Sequence, residues 1–152
     1  MRISAKADYA VRATIELAAA GEDAVVKGER LAGPQHIPLH FLENILGDLK
    51  QAGIVATRRG PEGGYKLARP AAEVSVADVI RAVDGPLASV RGDSPESLDY
   101  DGSAEPLQQV WIALRGNIRA VLETVSLEDL VRGRLPRSVA QLARDPDAWA
   151  RR

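Results

Sequence analysis

His40, Glu43 and Asn44 fall within a few residues of one another, and Arg58 and Arg59 follow them in the glycine-rich segment RRGPEGG. These side chains suit nucleic-acid recognition. A carboxylate accepts from the amino group of cytosine, and asparagine and histidine exchange hydrogen bonds with base edges or phosphates. A guanidinium gains from the negative potential of a narrow minor groove. Glu43 beside phosphates would be repelled unless it reads a base or orients Arg59, and Leu39 shares the outward side of this stretch. Arg58 and Lys66 fit phosphates, which set affinity and salt dependence more than sequence choice.

These residues need a helix and a hairpin to present them. Leu42, Ile45, Leu46 and Leu49 recur at three- and four-residue intervals, which predicts a helix starting near Pro38 with one apolar face. Gly53 supplies its end, and the β-branched bias of residues 54–57 predicts a short strand. Three glycines and a proline make residues 58–64 a turn, and Tyr65 and Leu67 begin a returning strand that Pro70 stops. Helix, strand, basic loop and strand form a winged helix, which puts the helix in a major groove and the loop tip against phosphates or the next minor groove.

Ahead of this unit, Ser4 caps a first helix whose apolar side runs through Ala7, Val11, Thr14 or Ile15, and Ala18 to Gly21. Residues 25–32 read as a short supporting helix separated from the next by Gly33 and Pro34. After Pro70, Val76, Val79, Ile80 and Val83 form another helical stripe, with Ser75 and Asp78 as a capping pair and Gly85 as the stop. Residues 92–104 hold four carboxylates and no lysine or arginine, the composition of an acidic, flexible loop. A long helix follows, with Leu107, Val110 or Trp111, Leu114, Ile118, Val121 or Leu122, and Val125 as its apolar side, of which Leu107, Trp111, Leu114, Ile118, Val121 and Val125 are the expected dimer contacts. It exceeds what a small winged domain needs, so it is expected to pair with its twin in a symmetric dimer. Ser126 and Asp129 restart a short helix. The expected organisation is a winged helix-turn-helix domain over residues 1–86, an acidic loop over 87–104, a dimerisation helix with a short helix over 105–130, and a tail over 131–152. The fold class is mostly α with a small β wing.

Composition narrows the function classes. With 20 Lys and Arg against 21 Asp and Glu, any nucleic-acid footprint must be local. It is local, because Lys50, Arg58, Arg59, Lys66 and Arg69 face only Glu62 as an opposing carboxylate in their interval. The chain has no cysteine, which excludes disulfides, a thiol nucleophile and cysteine-ligated metal centres. No apolar run reaches the length of a membrane span, so a cytoplasmic protein without a membrane partner is expected. GPEGG lacks the lysine of a phosphate loop, and no triad-like setting surrounds the serines, so no enzyme is expected. A winged module that captures a protein and ignores DNA is the rival reading.

The strings RISAKADYAVRATIELA, HIPLHFLENILGDLKQAGIVATRRGPEGGYKLARP, DVIRAVDGP and VWIALRGNIRAVLETVSLEDL, read in that order, resemble the bacterial regulator family that includes the iron–sulfur cluster regulator IscR, the nitric-oxide regulator NsrR and the cysteine-metabolism regulator CymR. The resemblance spans nearly all of residues 1–130. It implies a dimeric transcription factor with base reading at His40 and Glu43 and the wing arginine Arg59 near the minor groove, and a repressor acting on an inverted repeat in double-stranded DNA is the expected mode of action. Sensor members carry cysteines in the loop after the DGP string. None is present here, so no iron–sulfur cofactor and no metal are expected. The resemblance places an effector site between the first helix, residues 86–91 and the long helix. Asp8, Arg12, Arg91 and Trp111 are its expected lining, for an unknown small molecule or protein.

Overall fold

The computed structural model describes residues 2–151. Helix α1 (Ala5–Ala20) is the central element and touches the second, third, fourth and sixth helices. The Ser4 hydroxyl accepts from the Ala7 amide at its start, satisfying one of the amides left open in a first helical turn. The buried stripe runs through Ala7, Ala10, Ala13, Thr14 and Leu17, one step around the helix from the expected line. Val11, Ile15 and Ala18 form the half-buried edge. Small alanines let neighbouring helices approach on more than one side, so the buried face is broader than one periodic stripe.

Helix α2 (Gly28–Gln35) starts later than the sequence predicts and continues through Gly33 and Pro34. Val26 is extended instead, exchanging two 2.8 Å backbone hydrogen bonds with Tyr65. Pro34 has no N–H to donate to the carbonyl four residues back, and the helix ends one residue later. His36, in the left-handed region at φ 53°, ends the helix. Helix α3 (Leu39–Gln51) opens on Pro38, as expected, and Leu42, Ile45, Leu46 and Leu49 are completely buried. Gly53, at φ 73°, turns the chain out of α3 while the Ile54 amide donates back to Leu49.

Strands β1 (Val55–Arg58) and β2 (Gly64–Leu67) form an antiparallel hairpin, pairing Val55 with Leu67 and Arg58 with Gly64. A turn of 3₁₀ helix at Ala71–Glu73 leads to α4 (Val76–Asp84). The Ser75 hydroxyl and Asp78 carboxylate make a complete reciprocal cap there. Helix α5 (Leu107–Leu122) contains no fully buried residue. Ser126 and Asp129 repeat the reciprocal cap on α6 (Leu127–Arg132), which packs on α1. The tail forms α7 (Arg137–Ala143) and α8 (Pro146–Trp149). The core combines α1, α2, α3, the wing base, Val79 of α4 and Leu127 of α6.

Residues 87–104 are more structured than their composition suggests. They contain 3₁₀ turns at Pro95–Ser97 and Gly102–Ala104, and Pro95 and Leu98 are buried. Side chains of α5 hold the segment: Gln108 donates to the Leu98 carbonyl, the Trp111 indole donates to the Tyr100 hydroxyl, and Arg115 pairs with Glu96. The expected dimer face also divides. Leu107, Trp111, Leu114, Ile118 and Val121 lie on α5, whereas Val125 lies beyond its end, buried, with its carbonyl accepting from the Val76 amide.

Candidate nucleic-acid interface

Burying one side of α3 leaves the opposite side outward. Leu39, His40, Glu43 and Asn44 are all exposed there. Asp48 is different, because its carboxylate pairs with Lys6 at 2.6 Å and ties α3 to α1. Phe41, which the 3.6-residue pattern does not single out, is also exposed at the start of α3, although it is large and apolar. Its ring meets Tyr9 edge-on at 6.0 Å and His40 at 6.1 Å. The first turn of α3 is thus held to α1 through an aromatic contact that sequence spacing does not reveal.

Pairing register sorts the wing side chains. Residues directly opposite in an antiparallel ladder share a face, so Arg58 with Gly64 and Ala56 with Lys66 form one face. Val55, Tyr65 and Leu67 take the other, against the core. Arg58 and Lys66 therefore lie on the same outer side of the ribbon, and Arg59 begins the turn beyond it. Among the described residues, Lys50, Arg58 and Arg59 have no ion-pair partner. Lys66 is 3.8 Å from Asp23 and Arg69 is 3.6 Å from Asp78, so these two cations are partly engaged.

Steric room at two glycines fixes the wing. A Cβ at Gly63 would lie 2.3 Å from the Arg58 carbonyl oxygen, and one at Gly64 would lie 2.5 Å from the Val26 carbonyl oxygen. The first close approach closes the tip, where the Gly63 amide also donates to Gly60. The second seats the wing against the residues before α2. Tyr65 completes that seat at the wing base, with its ring edge near Gly28 and Leu39 close to the same glycine.

The expected effector lining does not assemble. Arg12 donates to the Gln35 carbonyl at 2.8 Å and to Asp8 at 2.6 Å, with its guanidinium 4.8 Å from the Tyr9 ring centre. Asp8 and Arg12 thus brace the end of α2 against α1. Trp111 is engaged with Tyr100, and Arg91 is exposed at φ 56°. A cleft of about 620 Å³ does open between the start of α1, residues 84–89 and α5, but Ile3, Ile80, Leu87, Ile118 and Val121 line it, and none of those four does.

The model of Rrf2, described as an iron-dependent transcriptional regulator, matches residues 3–133. The chain belongs to the Rrf2 family. It is 52% identical over 145 residues to a Mycobacterium tuberculosis protein named as an HTH-type transcriptional regulator, covering 95% of this chain and 90% of that one. Among solved structures, CymR of B. subtilis, a global cysteine regulator, superposes with a TM-score of 0.74 at 30% identity, covering 88% of this chain and 98% of CymR. IscR of T. potens superposes with a TM-score of 0.71 at 30% identity, covering 88% of both chains. This is a winged-helix Rrf2 regulator, and family members are transcriptional regulators, not enzymes. The donors of a cysteine-ligated iron–sulfur cluster do not fit this chain, because it has no cysteine. Among the described residues no three His, Asp or Glu side chains gather as metal ligands, and no helix is long and apolar enough to cross a membrane.

Proposed function

We propose that this Rrf2 regulator is a cluster-independent homodimer that binds an inverted repeat and represses by occluding a promoter. The observation that carries this reading is the exposed face of α3 beside the unpaired wing arginines. His40, Glu43 and Asn44 read base edges, Leu39 packs at the groove entrance, and Arg59 enters the neighbouring minor groove. Arg58 and Lys66 hold phosphates; Lys66 must first release Asp23, an exposed pair that costs little to break.

The dimer forms through α5, with Leu107, Trp111, Leu114, Ile118 and Val121 at the interface, since this helix buries no residue completely within its own chain. Two α3 helices related by a twofold axis enter successive major grooves about 34 Å apart. An effector that filled the cleft between α1, residues 84–89 and α5 would change the crossing of the long helices and misalign one half-site.

Selection of bound fragments from random and genomic duplex pools tests the proposal. Recovery of an inverted repeat without added metal is expected. A folded dimer that enriches no sequence would overturn direct operator binding.

A further inference from the structure

The family match ends at residue 133, yet the chain continues into two more helices. That arm is built unlike a solvated tail. Leu142 is 58% exposed and Trp149 80% exposed, and Leu135 is exposed as well. The Trp149 indole N–H is already satisfied by the Ala143 carbonyl, so the ring is fixed on the arm with its apolar surface outward. Helices α7 and α8 pack on each other. Arg134, Arg137, Arg144 and Arg151 stand on the arm against Asp145 and Asp147. Among the described residues none of these arginines has an ion-pair partner. An exposed apolar surface with unpaired cations marks an interaction site for an acidic, partly apolar partner.

One surface of this same chain has the complementary character. Between residues 92 and 105 the sequence has five carboxylates and no lysine or arginine. Glu96 is taken by Arg115, which leaves Asp93, Asp99, Asp101 and Glu105 exposed and, among the described residues, without ion pairs. Directly after them, Val110 and Ile112 are exposed on the first turns of α5, Val110 by 54%.

In chain order the acidic segment precedes the start of α5, and the arm follows its end with α6 between. The helix begins beside the acidic segment and leads into Val125 and Ser126, which bridge to the start of α4 before α6 and the arm. Its 16 residues span about 24 Å. A twofold axis perpendicular to α5 would place the beginning of one helix beside the end of its partner, and so bring each acidic surface to the end of α5 from which the other chain runs on through α6 to its arm.

We propose that the arm of one protomer docks in trans on the acidic segment and first turns of α5 of a second copy of this chain. Leu142 and Trp149 cover the exposed apolar residues of the partner's α5, while Arg137 and Arg144 meet the carboxylates of its acidic segment. This inference rests on the homodimer reading and adds to it a clasp outside the family module.

Charge reversal in the full chain tests it. R137E with R144E should weaken dimerisation about tenfold by sedimentation, since each exposed pair contributes modestly and two arms are lost per dimer. D99K with D101K should do the same. Mixing the two variant chains should restore the attraction of both arms and recover heterodimer preferentially, whereas each variant alone stays weak. Because the chain has no cysteine, R144C and D101C each create a single thiol. A bismaleimide should then link the two variants when mixed. Circular dichroism of each variant confirms that it is folded. Cross-linking only within a chain carrying both cysteines would overturn the trans arrangement. Unchanged dimerisation combined with weaker DNA binding by R137E/R144E would overturn it in favour of phosphate contacts. A wild-type chain that sediments as a monomer would overturn the dimer reading itself, and wild-type dimers indifferent to all four reversals would overturn the clasp alone.

Discussion

Replacing Gly64 with alanine tests whether the wing is seated on the segment before α2. The new Cβ would stand 2.5 Å from the Val26 oxygen, 2.8 Å from the Val26 carbonyl carbon and 3.1 Å from the Lys27 nitrogen. All three are backbone atoms, so no side chain can swing aside. The backbone of Gly64 is also at φ 156°, a region that a side chain disfavours. The strands must separate, breaking the two 2.8 Å bonds between Val26 and Tyr65. At about 0.5–1.5 kcal/mol each, their loss destabilises the domain by about 1–3 kcal/mol. A chain of this size shifts its melting temperature by about 2–4 °C per kcal/mol, so a drop of several degrees is expected. The freed wing would also hold Arg58 and Arg59 less firmly, and operator affinity should fall about tenfold as their ordering cost rises. Gly33 is the control. It lies inside α2, and a Cβ there would meet nothing within 4 Å, so G33A should raise stability by about 0.5–1 kcal/mol. Thermal unfolding and fluorescence anisotropy on a selected duplex measure both effects. Equal, small changes from G64A and G33A would refute the steric argument.

The site and the caps can be probed one residue at a time. R59A should weaken operator binding and lower the salt slope by about one, measured by titration at several salt concentrations; an unchanged slope would remove Arg59 from the DNA. E43A should relax base preference more than it lowers affinity for random duplex, and equal losses on both would contradict base reading. S75A removes one half of the α4 cap and should cost about 1 kcal/mol in urea unfolding. Glu96 should titrate below the usual glutamate range by carboxyl NMR, chiefly because of a backbone hydrogen bond and then its hydrogen bond with Arg115. Since folding lowers this pKa, its stabilising contribution is present above the unfolded value and is lost as pH falls through the folded one. R115A should move the titration back toward the ordinary value.

Legibility in the sequence follows the range of the interactions. Helix α3 is readable because four large apolar residues obey its period and all four end completely buried. Both reciprocal caps are readable because Ser75 with Asp78, and Ser126 with Asp129, act within one turn. Val25 and Val26 look helical from local pattern because the interaction that extends Val26 comes from Tyr65, far along the chain. Leu17 escapes a single-stripe reading because α1 is packed from several sides, which widens its buried face. The outward residues of α3 and the wing arginines are exposed as expected, since chemistry and turn composition announce them locally. Asp8 and Arg12 suggest an effector site because their charges look available in the sequence. The Gln35 carbonyl and the Tyr9 ring that occupy Arg12 become visible only once α1 and α2 pack.

The segment after α4 is where this chain parts from a family described by its dependence on iron. Its attachment to α5 consists of a carboxylate–guanidinium pair, a glutamine donating to a backbone carbonyl and an indole donating to a phenol. None of these ties involves a thiol, and the sequence supplies none. The polar ties of residues 92–104 to α5 are therefore an ion pair and ordinary hydrogen bonds, with no thiol among them. Mild thiol oxidants should leave operator affinity unchanged, while R115A should loosen the segment and raise amide exchange between residues 94 and 100. Protection that is unaltered in R115A would show that buried Pro95 and Leu98, rather than the polar ties, hold this segment in place.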